Sequence, residues 1–151
     1  IVQASDVGGI AIGGLSVGEG QKSMFKVLSA LAPLYDPARP HFLLGVGVPA
    51  DLRFAYEHGI DMADCVMPTR NARHSTLWGK GDKKMHLTNA QYMSDPKVIM
   101  PGCDCFTCAS EYSRAFLRHQ FKVGEPVAGS LASIHNLRYL ERMCEEYRVA
   151  K

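Results

Sequence analysis

The stretch that decides the fold covers residues 59–73 and reads GIDMADCVMPTRNAR. Short apolar residues around Asp64 predict a buried strand. Pro68 has no backbone N–H, so it predicts the end of that strand and a following loop that carries Arg70 and Arg73. A carboxylate at the end of a buried strand needs a charged or hydrogen-bonding partner, and carboxylates in such places are often catalytic. Asp64 is therefore a candidate catalytic residue; the alternative is that it caps the loop or pairs with one of the two arginines.

Upstream of this stretch, short apolar runs alternate with helical patterns. The apolar runs cover residues 10–12, 42–46 and 60–66. The helical patterns between them cover residues 24–31 and 49–57. Continuous rather than alternating hydrophobicity is typical of strands that are covered on both faces. The order β-α-β-α-β therefore predicts parallel strands, either in an open doubly wound sheet or in a (β/α)8 barrel.

In both architectures, functional groups gather at the carboxyl ends of the strands. The segments expected at this edge are Gly13-Gly14-Leu15, Gly45-Val46-Gly47 and Asp64-Cys65. Glycines let a flat ligand approach the backbone closely. The pattern does not fit a dinucleotide fingerprint, because Glu19 lies within the first glycine-rich stretch and would repel phosphate.

Composition places the 151-residue chain among globular domains with a real core, since 46% of it is hydrophobic and 21% is charged. It has no apolar run near the length of about twenty residues that a membrane span needs. Because it starts with Ile1 rather than Met, we expect it to be part of a longer polypeptide. The net charge of +2 is too small to indicate nucleic acid, but residues 66–98 hold six Lys or Arg and two Asp. This local excess indicates either a phosphate-binding patch or a solvated hairpin surface.

The alternation of strands and helices ends after Arg73. Residues 74–79 and 83–87 predict a hairpin around Lys80-Gly81-Asp82. Two helices are expected downstream: one capped by Ser110 and ending before Gly124, and a last helix over about residues 131–147.

Cysteine usage predicts a metal site. The five cysteines are an odd number, and Cys103, Cys105 and Cys108 lie within six positions, which suits a reducing compartment and a metal better than a disulfide framework. A fourth ligand must come from elsewhere in the chain. The candidates are His119, His135 and Cys144, of which the last would also admit an iron–sulfur cluster. A zinc ion with four protein ligands would be structural rather than catalytic, and it would link the last helix to the cysteine turn.

With these motifs in hand, the sequence resembles the tRNA-guanine transglycosylases, also called queuine tRNA-ribosyltransferases. The residues that carry the resemblance are 13–19, 44–47, 61–70, the three clustered cysteines and Ile134-His135-Asn136. The resemblance covers nearly all of this chain, and the chain covers less than half of a typical family member. It implies an α/β fold: the C-terminal part of a (β/α)8 TIM barrel, with a zinc-binding insertion after the last strand. By the same resemblance, residues 1–73 are the last three β/α units, 74–128 a zinc-binding subdomain and 129–151 a final helix on the zinc site and barrel.

The resemblance also implies a reaction. Asp64 matches the family's nucleophile, which attacks the ribose of guanosine at the anticodon wobble position and forms a covalent aspartyl–ribose intermediate. A 7-deazaguanine such as preQ1 or queuine then replaces guanine. Such a pair of displacements needs a carboxylate beneath the anomeric carbon and a second group that handles protons. By resemblance, that second group is an aspartate in the first half of the barrel, which this chain does not include.

Further positions match by resemblance. Gly14 and Leu15 match the backbone that recognises the purine, and Glu19 matches the acid that orients their peptide. Phe42 and Leu44 match the residues that stack on the base, although tyrosine is common at the first position; Ala63 stands where phenylalanine is usual. Arg70 and Arg73 match contacts to the anticodon loop. The matched zinc ligands are Cys103, Cys105, Cys108 and His135.

The implied partners are a tRNA with G at the wobble position, a deazaguanine base and a second copy of the chain, joined through the zinc subdomain in a cytoplasmic homodimer. An alternative from another class is a non-catalytic, zinc-stabilised fragment that binds tRNA or a partner subunit.

Overall fold

The computed structural model describes residues 5–149, which form two compact units divided between Val66 and Met67. The first unit has the predicted β-α-β-α-β order. Its elements are β1 (Ile10–Ile12), α1 (Gln21–Leu31), a 3₁₀ turn (Ala32–Leu34), β2 (His41–Leu43), α2 (Pro49–Glu57) and β3 (Met62–Ala63). The three strands pair in parallel in the order β1-β2-β3, with Ala11 opposite Phe42 and Phe42 opposite Met62. The prediction of parallel strands is confirmed.

Local chemistry explains where α2 begins and ends. Pro49 occupies the first helical position, where a backbone N–H has no intrahelical partner and its loss costs nothing. The helix stops as predicted, because Gly59 takes a left-handed φ of 87° and lets Ile60 N donate back to Ala55 O at 3.1 Å. Ala55 and Ile60 then lie in the core of this unit with Leu28 and Leu43. Stacking of Phe25 on Phe54, with ring centroids 3.8 Å apart, joins α1 to α2.

The prediction of a buried strand over residues 60–66 was wrong in extent and burial. Ile60 is buried, but β3 contains only Met62 and Ala63, and the Met62 side chain is 46% exposed. Within the described residues β3 pairs with β2 alone, so its other edge has no strand beside it. An apolar run in the sequence predicts a buried strand only if other elements cover both faces of the sheet at that point.

The second unit is built around a long helix. Its elements are α3 (Met67–Arg73), β4 (Thr76–Gly79), a 3₁₀ turn (Lys80–Asp82), β5 (Lys83–His86), a 3₁₀ turn (Ala90–Tyr92), α4 (Phe106–Ala109), α5 (Arg114–Val123) and α6 (Pro126–Val149). The predicted hairpin is confirmed: β4 and β5 are antiparallel, with Thr76 opposite His86 and Gly79 opposite Lys83. Its turn has positive φ at Gly81 and Asp82, and the Tyr139 hydroxyl accepts from Asp82 N at 3.0 Å.

Residues 67–73 form a helix rather than the predicted loop. Pro68 lies in the first turn of α3, where the absence of an N–H is tolerated. The Asn136 side chain on α6 donates to Pro68 O at 3.0 Å, which fixes that turn. By its contacts, α3 lies in the second unit, whereas the family resemblance implied that residues 1–73 belong together as β/α units.

Two helix starts also differ from the predictions. Ser113, not Ser110, caps α5, and its Oγ accepts from Phe116 N at 3.1 Å. The end of α5 at Gly124 is as predicted, with a left-handed φ of 79°. The last helix begins at Pro126, five residues earlier than expected, because proline is well suited to a first helical position. No helix among the described residues is long and apolar enough to cross a membrane.

Candidate functional site

Three thiols and one imidazole converge in the second unit. The Sγ atoms of Cys103, Cys105 and Cys108 and a ring nitrogen of His135 all lie within 4.8 Å of one another, and all four residues are buried. His135 Nδ1 is 3.7, 3.5 and 3.4 Å from the three sulfurs in chain order. A tetrahedral zinc ion, bonded to sulfur at about 2.3 Å and to nitrogen at about 2.0 Å, separates such ligands by about 3.5 Å. The donor set and its spacing therefore fit one structural zinc ion.

This geometry selects one of the three candidates for the fourth ligand. His135 is fully buried against the thiols, whereas the His119 side chain is exposed and Cys144 is outside the group. The site is thus Cys₃His, with every position filled by protein. A closed ligand set supports folding and leaves no open position for a substrate.

The backbone around the cysteines makes the turn possible. Gly102 has a φ of 78°, and Cys103 N then donates to Met100 O at 3.2 Å. Cys105 is the N-cap of α4, and its Sγ accepts from Cys108 N at 3.3 Å. The short helix α4 therefore places Cys108 one turn after Cys105, with both sulfurs on the same side.

The opposite nitrogen of His135 is also held. His135 Nε2–H donates to Trp78 O at 2.8 Å, which fixes the tautomer and leaves Nδ1 facing the thiols. Trp78 N in turn donates to Asn136 Oδ1 at 3.2 Å. Sequence reasoning did not identify Trp78, because a backbone carbonyl has no sequence signature. Asn136 belonged to the quoted Ile134-His135-Asn136 motif, which was the available signal.

Because the three thiols lie close together, their pKa values are shifted. The hydrogen bond from the Cys108 side chain is the main cause that lowers the pKa of Cys105 to about 4, and contact with His135 lowers it further. The same hydrogen bond raises the pKa of Cys108, and burial raises the pKa of Cys103. Three neighbouring thiolates repel each other without a cation, so a divalent ion is the group that this donor set accommodates.

An ion-pair network ties the cysteine turn to α6. Asp104, between two of the cysteines, accepts from Arg138 Nε at 2.9 Å and from Arg138 Nη2 at 2.7 Å. This bidentate pair is the main cause that lowers the pKa of Asp104. Arg142 Nη1 donates to Gly102 O at 3.0 Å. The helix that carries His135 is therefore also fastened to the turn that carries the thiols.

The first unit brings together the three segments that were expected at the carboxyl edge of its sheet. Gly45 N donates to Asp64 Oδ1 at 3.3 Å, which joins the residues after β2 and β3. After β1, a Cβ added to Gly13 would lie 3.2 Å from the Leu44 side chain. Asp64 is exposed at this edge, as is Leu44 at 41%. Phe42 is half-buried within β2, and Leu44 follows the last residue of that strand.

Glu19 holds the loop after β1 through two backbone amides. Its carboxylate accepts from Ser16 N, which belongs to the Leu15–Ser16 peptide, and, at 2.9 Å, from Val17 N. Hydrogen bonds from the amides of Glu19 itself and Ser16 lower the pKa of this carboxyl. The loop borders a cavity of about 270 Å³ that Glu19 lines.

Arg70 and Arg73 lie three residues apart on α3, so both are on one side of that helix, and both are exposed. They belong to the second unit, while Asp64 and the purine-site candidates Gly14, Leu15, Glu19, Phe42 and Leu44 belong to the first.

These features define a class of protein: a parallel α/β unit with a carboxylate at the ends of its strands, followed by a second unit with a structural Cys₃His zinc site. A family model described as queuine tRNA-ribosyltransferase matches residues 1–150. The chain belongs to this family, an enzyme family whose fold is of the α/β TIM-barrel type.

Curated relatives agree with the family model. The chain is 46% identical to a queuine tRNA-ribosyltransferase of Symbiobacterium thermophilum over 149 residues, which are 99% of this chain and 37% of that protein. It is 44% identical to the protein of that name from Neisseria gonorrhoeae over 146 residues, 96% of this chain and 38% of the relative. The match from Aromatoleum aromaticum is 46% identical over 143 residues, 94% of this chain and 38% of the relative. The chain therefore spans less than two-fifths of the length of these relatives.

Proposed function

We propose that this chain is the C-terminal portion of a tRNA-guanine transglycosylase, which exchanges guanine at the anticodon wobble position for a 7-deazaguanine, preQ1 or queuine, in queuosine biosynthesis. The observation that carries the proposal is the position of Asp64: in a chain of this family, it is an exposed carboxylate at the strand ends, hydrogen-bonded by Gly45 N beside the residues that follow β1 and β2.

Asp64 is proposed as the nucleophile. One carboxylate oxygen attacks ribose C1′ as the C1′–N9 bond breaks, and the electron pair of that bond leaves with guanine, which takes up a proton. The incoming deazaguanine loses a proton and attacks C1′ from the opposite side, and the Asp64 carboxylate departs. The hydrogen bond from Gly45 N to Oδ1 orients the carboxylate for this reaction. Proton transfer needs a second acid, which the resemblance assigns to the part of the barrel that this chain does not span.

The base would lie on the loop after β1 and the end of β2. Backbone groups of Gly14 and Leu15 are proposed to recognise its polar edge, and Phe42 and Leu44 supply apolar surface for its faces. Glu19 fixes the same loop by accepting from the two amides that follow. The carboxylate thus has a positioning role in this proposal.

Exposed cations and the zinc unit are proposed to hold the tRNA and a second copy of the chain. Arg70 and Arg73 on one side of α3 suit contacts to the anticodon loop. An aromatic row of Phe106, Tyr112 and Phe116 suits an isologous homodimer contact: neighbouring ring centroids are 6.2 and 5.3 Å apart, and Phe106 is 58% exposed. A reducing, cytoplasmic location agrees with the thiol chemistry of the zinc site.

A second candidate is a non-catalytic, zinc-stabilised module that binds tRNA or a partner subunit. The second unit favours it, because residues from the hairpin, the cysteine turn, α5 and α6 form a hydrophobic core of their own. The two candidates differ in whether Asp64 has a chemical role.

The test is incorporation of labelled guanine into a tRNA with G at the wobble position, using the full-length, zinc-loaded protein that contains this chain and its Asp64→Asn variant. We expect incorporation and a denaturant-resistant protein–tRNA adduct with the unchanged full-length protein, and neither with the variant. The exposed carboxylate Asp6 provides a control, since Asp6→Asn should leave both signals unchanged. An adduct that persists in Asp64→Asn would refute the nucleophile assignment, and tRNA binding without incorporation would favour the module.

A further inference from the structure

A cavity of about 560 Å³ opens in the second unit, and its lining includes none of the four zinc ligands. One wall is the hairpin of β4 and β5, including Lys80, Lys83 and Lys84. The other walls come from residues 89–101 and the start of α5, where Arg114 lies. Neither Arg70 nor Arg73 lines it, so the cavity is separate from the arginines already assigned to tRNA.

The three lysines carry positive charge that the surrounding protein does not neutralise. All three side chains are exposed, and within residues 5–149 none has a hydrogen bond or ion pair to another group. The antiparallel register brings them to one end of the hairpin, because Lys83 pairs with Gly79, the neighbour of Lys80. The carboxylate in the same turn, Asp82, is occupied: its Oδ1 accepts from the Tyr139 hydroxyl at 2.6 Å.

The fourth cation of the cavity is neutralised and serves as part of the wall. Arg114 Nη1 donates to Asp95 Oδ2 at 3.0 Å, and Arg114 Nη2 donates to Ile99 O at 2.9 Å. Asp95 also accepts from Lys97 N at 3.0 Å. Since this carboxylate and the guanidinium cancel each other, the free charge of the lining is that of the three lysines.

The lining suits a phosphodiester backbone better than a nucleotide base. Lysine ammonium groups are mobile point charges that attract phosphate without the planar, bidentate recognition of arginine. An RNA base would need an exposed aromatic face for stacking. The aromatic residue of the lining, Tyr92, is only 8% exposed, and the Arg114 guanidinium lies 6.0 Å from its ring centre. The exposed amides of Asn89 and Gln91 add neutral donors to the same wall.

We propose that this hairpin cavity binds the sugar–phosphate backbone of tRNA through Lys80, Lys83 and Lys84, and that it adds affinity independently of nucleotide sequence. The identity of the RNA rests on the proposed function. The site itself rests on the cavity and its unpaired lysines.

The test compares tRNA affinity across salt concentration for the zinc-loaded chain, for Lys83→Ala/Lys84→Ala and for the control Lys122→Ala. Lys122 is an exposed lysine on α5 outside the cavity. Each lost phosphate contact should lower the steepness of log K against log salt by about 0.7–0.9. We therefore expect the double variant to lose about 1.5 in slope and to bind about tenfold or more weakly near 0.1 M salt. Lys122→Ala should match the unchanged chain, and Lys83→Arg/Lys84→Arg should retain most of the affinity.

The outcomes separate this site from the proposed exchange reaction. An unchanged slope in the double variant, with guanine exchange intact in the full-length protein, would overturn the site and leave the reaction standing. A reduced slope in the double variant, with no exchange by the full-length protein, would support the site and count against the reaction. Displacement of tRNA by inorganic phosphate, well beyond the effect of KCl at equal ionic strength, would indicate a small-anion pocket and overturn the backbone proposal.

Discussion

His135 is held at both nitrogens of its ring, and its neighbour Asn136 sets the geometry on one side. The acceptor for Nε2–H is the carbonyl of Trp78, so no substitution of the Trp78 side chain would remove it. The position of that carbonyl depends on Asn136, whose Oδ1 accepts from Trp78 N. Asn136 also donates to Pro68 O and Thr76 O at 3.0 and 3.1 Å. One fully buried amide thus connects α6, β4 and α3 beside a zinc ligand.

Replacing Asn136 by Ala should destabilise the chain strongly. The change removes three hydrogen bonds, to buried backbone groups of Trp78 and Pro68 and to a part-buried carbonyl of Thr76, so we expect a loss of about 2–4 kcal/mol in the free energy of unfolding. Denaturant unfolding of the zinc-loaded protein measures it, and zinc release to a chelator should become faster because the Trp78 carbonyl is no longer fixed. Ser130→Ala, at an exposed position on α6, is the control. A change within about 0.5 kcal/mol for Asn136→Ala would contradict this account.

At the scale of elements, α6 organises the second unit. Within one turn it supplies a zinc ligand in His135, the amide of Asn136, the ion pair of Arg138 to Asp104 and the hydroxyl of Tyr139 that holds the hairpin turn. Near its start it packs closely on α3, since a Cβ added to Gly129 would lie 3.6 Å from Arg73 Cγ. Close approach here is compatible with a methyl group, because that distance is an ordinary van der Waals contact.

Two glycines of this region should respond to alanine in opposite directions. Gly129→Ala should stabilise the chain by about 0.5–1 kcal/mol, because Gly129 is helical and its added methyl group meets no clash. Gly124→Ala should destabilise it by about 1 kcal/mol, because Gly124 ends α5 with a left-handed φ of 79°. Thermal and denaturant unfolding of the two variants measure the pair. Destabilisation by Gly129→Ala would show that α3 and α6 are packed more tightly than described.

At the scale of the whole molecule, the chain joins a parallel α/β unit to a unit whose core surrounds a closed zinc site. Three zinc ligands come from the six-residue segment that ends at Cys108. The fourth, His135, lies on α6, 27 residues after Cys108. A metal that closes a loop of this length contributes to folding, since the ligand set does not exist in the unfolded chain.

Zinc removal should change how many cysteines react with a thiol reagent. Cys65 and Cys144 are partly exposed, while Cys103, Cys105 and Cys108 are 6%, 4% and 6% exposed. We expect two thiols to react readily in the zinc-loaded chain and five after chelation, with a fall in the melting temperature. Mass spectrometry of the labelled protein identifies the sites. Rapid labelling of all five thiols in zinc-loaded protein would contradict the closed Cys₃His site.

The residue pattern alone determined several features correctly. Apolar runs and helical periodicity indicated the β-α-β-α-β order, Gly and Pro positions marked the ends of α2 and α5, and the hairpin followed from its turn residues. Three cysteines within six positions indicated a metal. These features were predictable because each depends on neighbours within a few residues or on a repeated local pattern.

Other features depend on contacts between distant residues, and only the tertiary structure decided them. Local pattern left His119, His135 and Cys144 open as the fourth ligand, and the family resemblance implied His135. The packing of α6 against the cysteine turn brings His135 to the thiols. Residues 67–73 were expected to be a loop, but Asn136 reaches back from α6 to Pro68 and fixes a helix. The carbonyl of Trp78 orients the zinc ligand only because β4 lies beside α6. The local sequence therefore determined the types of zinc ligand and the order of the helices and strands. Long-range packing determined which side chain completes the zinc site.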